Sequence, residues 1–201
     1  MRAQRIAVLA AATLAMAIMA GCRVEENKHG DSKDVNIQTP FGGMHVKTDD
    51  KAVLDKIGLQ AYPGAVAIND DGDDHHSADV DMSFGGFKLR VLAAKYRTDD
   101  PPSKVQAFYR SGLRRYGDII ACEGERAVGS PERTQEGLTC SSRKGHVSVD
   151  NGSTHTLELK TGSEKHQHLV TIDADGGGTK IGLVALDLPI GDNDSEPADR
   201  Q

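Results

Sequence analysis

Residues 78–96 read ADVDMSFGGFKLRVLAAKY. Ala78, Val80, Met82 and Phe84 alternate with Asp79, Asp81 and Ser83, the period of a strand rather than a helix. Gly85-Gly86 follows, a two-residue hairpin loop in which either residue can take positive φ. Folding the segment about that loop sets Phe84 against Phe87, Met82 against Leu89, Val80 against Val91 and Ala78 against Ala93. All four pairs share one face, while Asp81 meets Arg90 on the other. One register therefore satisfies both the apolar and the charged pairing, and a slip by one residue would break both.

The same reading extends outward. Val35, Ile37, Met44 and Val46 alternate with Asn36, Gln38, His45 and Lys47, and Thr39-Pro40-Phe41-Gly42-Gly43 supplies a turn between them. Beyond the central hairpin, Asp100 is a good N-cap and Pro101 suits a first helical position. Val105, Phe108, Tyr109, Gly112, Leu113 and Tyr116 form an apolar stripe at helical spacing, and Gly117 stops it. The spacing thus predicts one amphipathic helix over about 101–116. Further strands are expected near 118–122, 137–141, 145–149, 154–161, 166–174 and 179–188. Hairpins, a helix, then more strands argue an α+β domain, an antiparallel sheet with the helix packed on one face.

The ends carry other signals. Arg2 and Arg5 precede an apolar run from Ile6 to Ala20, too short to span a bilayer and of the right length for a signal peptide. The run ends in Met19-Ala20-Gly21-Cys22, which resembles the lipobox of bacterial lipoproteins, with Met19 where Leu is usual. That resemblance implies cleavage after residue 21, acylation of Cys22 and membrane anchoring through palmitate-type chains. Each buried methylene contributes about 0.8 kcal/mol, so two or three chains hold a protein firmly. Arg23 in place of Asp favours the outer membrane, facing the periplasm. Plain secretion with a free Cys22 and a retained membrane helix are the rival readings. The expected organisation is a signal peptide at 1–21, a flexible tether at 22–34, one α+β domain at 35–188 and a disordered acidic tail at 189–201.

The chain has a formal charge of −6. Loss of residues 1–21 removes Arg2 and Arg5 and no acid, which takes it to −8. Such a surface argues against nucleic acid as a partner and against binding through anionic lipid headgroups. Of three cysteines, lipidation would consume Cys22 and leave Cys122 and Cys140, an even remainder that implies one disulfide in an oxidising compartment. A zinc site at these two has no C-x-x-C or paired-His spacing to support it.

The richest polar cluster is Asn69-Asp70-Asp71-Gly72-Asp73-Asp74-His75-His76. Asp70, Asp71, Asp73, Asp74, His75 and His76 could hold a divalent cation, but the acids miss the EF-hand spacing and a solvated loop is the plainer meaning. His166 and His168 would share a strand face, with His155 nearby. Asp173 to Gly178 reads as a hairpin turn, and Tyr62-Pro63-Gly64-Ala65 as a structural turn. No G-x-S-x-G elbow and no H-E-x-x-H occurs.

Thr39-Pro40-Phe41-Gly42-Gly43, Tyr62-Pro63-Gly64-Ala65 and Asp99-Asp100-Pro101-Pro102 with Val105, Phe108-Tyr109-Arg110, Leu113 and Tyr116-Gly117 form a set. This set resembles a module of uncharacterised bacterial envelope proteins, often lipoproteins, of acidobacterial type. The likeness runs over about 33–188 and implies a fold and an address, with no site residues to carry over. The sequence therefore points to a lipid-anchored cell-envelope protein that binds an envelope protein or glycan, or helps maintain the envelope, and leans away from an enzyme. Alternatives are a metal- or small-ligand-binding lipoprotein using the 69–76 loop, and a hydrolase of unrecognised type. No cofactor is expected beyond that divalent metal.

Overall fold

A computed structural model describes residues 22–29, 32–69, 76–141 and 156–188. The chain enters as β1 (Arg23–His29), β2 (Ser32–Thr39) and β3 (Gly42–Thr48), followed by α1 (Asp50–Ile57) and the two-residue β4 (Val66–Ala67). The hairpin β5 (Ser77–Phe84) and β6 (Phe87–Thr98) leads into α2 (Pro102–Leu113) and a 3-10 turn, Arg114–Tyr116. Then come β7 (Ile120–Glu123), β8 (Arg126–Ala127), β9 (Leu157–Gly162), β10 (His166–Asp175) and β11 (Gly178–Asp187). All pairings are antiparallel, in the order β1-β2-β3-β5-β6-β11-β10-β9-β7-β8, with β4 on β6 beyond the end of β5. The class is α+β, dominated by the sheet.

The central hairpin has the register its sequence dictates. Ala78 faces Ala93, Val80 faces Val91, Asp81 faces Arg90, Met82 faces Leu89 and Phe84 faces Phe87. Gly85 takes φ 58 at the turn, a conformation glycine reaches without a Cβ penalty. Val35 meets Val46 and Ile37 meets Met44 in the preceding hairpin. Gly176 and Gly177, both at positive φ, make the β10–β11 turn.

The principal core lies on the face opposite those apolar pairs. Leu92, Ala94 and Tyr96 of β6 join Ile181 and Leu183 of β11, Val170 and Ile172 of β10, and Leu159 of β9. Val53 and Ile57 of α1 and Val105, Tyr109 and Leu113 of α2 complete the same cluster. Leu169, Val184 and Leu186 make a smaller cluster on the other face, with Val91 and Ala93 against it. The central strands are therefore apolar on both sides, as buried strands must be. The single seam between the N-terminal and C-terminal strands is β6–β11, where Thr98 meets Thr179 and Arg90 meets Asp187.

Four local expectations need correction. A second helix, α1, joins the one read from the apolar stripe; Asp49 caps it, its carboxylate accepting from the Ala52 N–H at 3.0 Å, and Gly58 ends it at φ 73. Residues 23–29, read as tether, form β1 and pair residue for residue with β2 from Arg23–Gln38 to His29–Ser32. Asp100 is not the cap of α2. Pro101 holds that place in extended conformation, as the residue before Pro102 must, and the helix begins one residue later. The 137–141 segment is a loop, with one isolated bridge from Arg133 to Thr139, because the Thr134 hydroxyl accepts from the Leu138 N–H at 3.0 Å and turns the chain. The strand expected at 145–149 lies outside the described residues.

Cys122 and Cys140 form a disulfide across a sequence separation of 18. Both are buried, packed with Ile120 and Ala127. Closing a loop of that size contributes about 3 kcal/mol through the unfolded chain. Replacing both cysteines by alanine should lower stability by about that amount, read as a drop in denaturant midpoint with a steeper slope, because the uncrosslinked denatured chain exposes more surface.

Candidate functional site

Six strands bring one polar row together. Cross-strand pairing runs Asn36 to His45, His45 to Asp81, Asp81 to Arg90, Arg90 to Asp187 and Asp187 to His166. These six residues, on β2, β3, β5, β6, β11 and β10, line an open groove of about 600 Å³. With strands about 4.8 Å apart, the row is about 24 Å long. It alternates in sign, and each carboxylate sits between groups that can be cationic.

Its centre is anchored from within the sheet. Asp79 lies two residues before Asp81 on the same face, with its side chain only 4% exposed. Arg90 donates to it twice, Nε to Oδ1 at 3.3 Å and Nη2 to Oδ2 at 3.2 Å, and Lys56 of α1 donates at 2.5 Å. Burial alone pushes the Asp79 carboxyl up, but the hydrogen bonds from Lys56 and Arg90 more than reverse this and hold it below the usual carboxylate range. The same pairing raises Arg90. At one end of the row His166 Nδ1 lies 2.7 Å from Asp187, and next to the other end His45 Nε2 lies 2.9 Å from Asp34.

This carries a pH consequence. A carboxyl depressed in the fold stabilises it fully above its unfolded pKa, and that contribution is lost as pH falls through the folded value. The unfolded value is about 3.9, so the loss belongs below about pH 4. Asp79→Asn should be less stable at neutral pH and show a shallower acid limb, measured as denaturant midpoint against pH. An unchanged acid limb would contradict the assignment.

No family model, curated protein or solved structure matches the chain. The site therefore stands on its own geometry. Among the described residues no group of three or more His, Cys, Asp or Glu is placed to hold a metal ion. Asp70, Asp71, Asp73, Asp74, His75 and His155 lie outside the described residues. His76 is half-buried just before β5. His166 and His168 share a face as their spacing requires, yet serve different partners. His168 stacks on Tyr116 with ring centroids 3.7 Å apart, and burial holds its pKa below the ordinary imidazole value.

Cys22 is exposed and leads directly into β1. The Tyr62 phenol donates to Asp100 at 2.7 Å, and Lys104 reaches the other oxygen of Asp100 at 2.8 Å, so the turn at 62–65 is tied to the start of α2. Both interactions are structural. The residues that sequence reading passed over are Asn36, His45 and Asp187. Their partnership depends on β3–β5 and β6–β11 pairing between separate hairpins, which local spacing does not reveal.

Proposed function

We propose that this chain is a lipid-anchored, non-catalytic binding module of the cell envelope, held to a bilayer through Cys22 and taking a glycan strand along the row from Asn36 to His166. The row itself carries the reading. Amide, imidazole, carboxylate and guanidinium groups repeat across six strands in an open groove, which suits an extended ligand rich in hydroxyl groups. The six side chains of the row are all polar, and Met44, Met82, Leu89 and Leu188 also line the groove. The resemblance of its lipobox and turn motifs to envelope lipoproteins supports the same address.

Calorimetric titration with soluble cell-wall glycan oligomers tests the binding role. Saturable heat is expected, weakened at least tenfold by His45→Ala and by Asn36→Ala, both on half-exposed positions away from the core. No heat at millimolar oligomer refutes it. Mass spectrometry of the N-terminus in protein taken from cell membranes tests the anchor, with an unmodified Cys22 sulfur as the contrary result.

A further inference from the structure

We infer that the hairpin tips beside Cys22 form a second membrane contact, in which Phe41, Phe84 and Phe87, together with Val24, enter the lipid headgroup and upper acyl layer. Three features of the fold converge on it. The first is position. Arg23 pairs with Gln38, which sets Cys22 at the end of the sheet where β2 turns into β3 through Pro40 and Phe41. Gly42 pairs with Phe84, the Gly85 N–H donates to the Phe41 carbonyl at 3.2 Å, and Phe84 pairs with Phe87. Two neighbouring tips and the acceptor cysteine thus share one edge of the molecule.

The second feature is exposure. Phe41 is 84% exposed, Val24 64%, Phe84 47% and Phe87 46%. Four of the six most exposed large apolar side chains among the described residues therefore lie at this end, and three of the four phenylalanines in the chain are among them. Clustered apolar exposure of this kind marks a contact surface. The third feature is charge. In a chain of net charge −6, residues 39–44 and 82–89 contain no acid and only one ionisable group, Lys88. Arg23 sits beside Cys22. The two hairpin tips themselves carry no carboxylate, and Glu25, the acid next to Val24, is paired with Arg23; apolar tips of this kind match a lipid surface.

The inference rests on the membrane address proposed above but not on the acyl group itself. The chain contains no tryptophan, so each substitution gives a single clean reporter. Phe41→Trp, Phe84→Trp and Phe87→Trp are compared with Val66→Trp, an exposed site on β4 beside Arg97. That site is ten residues along β6 from Phe87, about 33 Å at strand rise. Full chain purified from membranes is reconstituted in phosphatidylcholine–phosphatidylglycerol vesicles with bromine on the upper acyl carbons. Emission from the three tip reporters should fall at least twofold, and emission from Val66→Trp should stay within a tenth of its value in unbrominated lipid. Tip emission unquenched in protein that floats with vesicles and carries acyl mass at Cys22 overturns the inference and leaves the anchor intact. Quenched tips in protein whose Cys22 is unmodified uphold the inference and remove the anchor. Tip emission already blue-shifted without lipid, with doubled mass by light scattering, assigns the tips to a second copy and overturns it.

Discussion

Glu158→Ala is expected to destabilise the domain by about 3 kcal/mol, the cost of breaking a buried ion pair by removing one partner. Glu158 and Lys160 stand two apart on β9 and so share a face, with Nζ 2.8 Å from Oε2. The Lys160 side chain is 0% exposed, and its cross-strand neighbours are Ile120 and Leu169. Removing Glu158 takes from this buried ammonium the carboxylate that lies 2.8 Å from it. The paired replacement Glu158→Leu with Lys160→Met should be neutral or stabilising by about 1–4 kcal/mol, because it removes both desolvation penalties together. Urea titration of parent, single and double variants decides the matter. A single variant within about 1 kcal/mol of the parent would show that the pair does not depend on its partner.

The second large effect belongs to Leu183. It is fully buried on β11, between Ala94 of β6 and Val170 of β10, in the cluster that also takes in α1 and α2. Leu183→Ala should cost about 3–5 kcal/mol, the transfer of the lost methyl groups plus the cavity left among strands that pair on both sides and cannot close in. Val66→Ala, at an exposed position, should change stability by no more than about 0.5 kcal/mol. Thermal and denaturant unfolding of the two variants side by side give the comparison, and a Leu183→Ala chain as stable as Val66→Ala would refute it.

The register of the β5–β6 hairpin was readable before the structure, and the reason is local. In 78–96 the apolar alternation, the Gly85-Gly86 turn and the Asp81–Arg90 pair all depend on residues a few positions apart. What that alternation did not disclose is which face carries the main core. β5 contributes Ser77 and Asp79 to the buried side, and only β6, with Leu92, Ala94 and Tyr96, looks apolar there. A buried Asp79 reads as solvent-facing until Lys56 and Arg90 are seen around it.

Other features were hidden for different reasons. α1 has its marks in the sequence, Asp49 before Val53, Leu54 and Ile57 with Gly58 after, but at eight residues the pattern is short. β1 has almost no apolar content and is a strand only because β2 offers it a complete ladder. The row from Asn36 to His166 needs hairpins remote in sequence to be laid side by side, so Asp81, Arg90 and His166 could be named singly but the row could not be assembled. Cys122 and Cys140 were paired by counting, which works when only two thiols remain.

The β6–β11 seam has a kinetic meaning. Hairpins such as β5–β6 and β10–β11 can each close within microseconds, since their partners are adjacent in the chain. Joining Thr98 to Thr179 instead requires a long loop to close before any contact rewards it, and β11 is the last strand in chain order among the described residues. Refolding should therefore show fast local structure followed by one slow cooperative phase, and a nascent chain halted before β11 would hold two unjoined half-sheets with open edges.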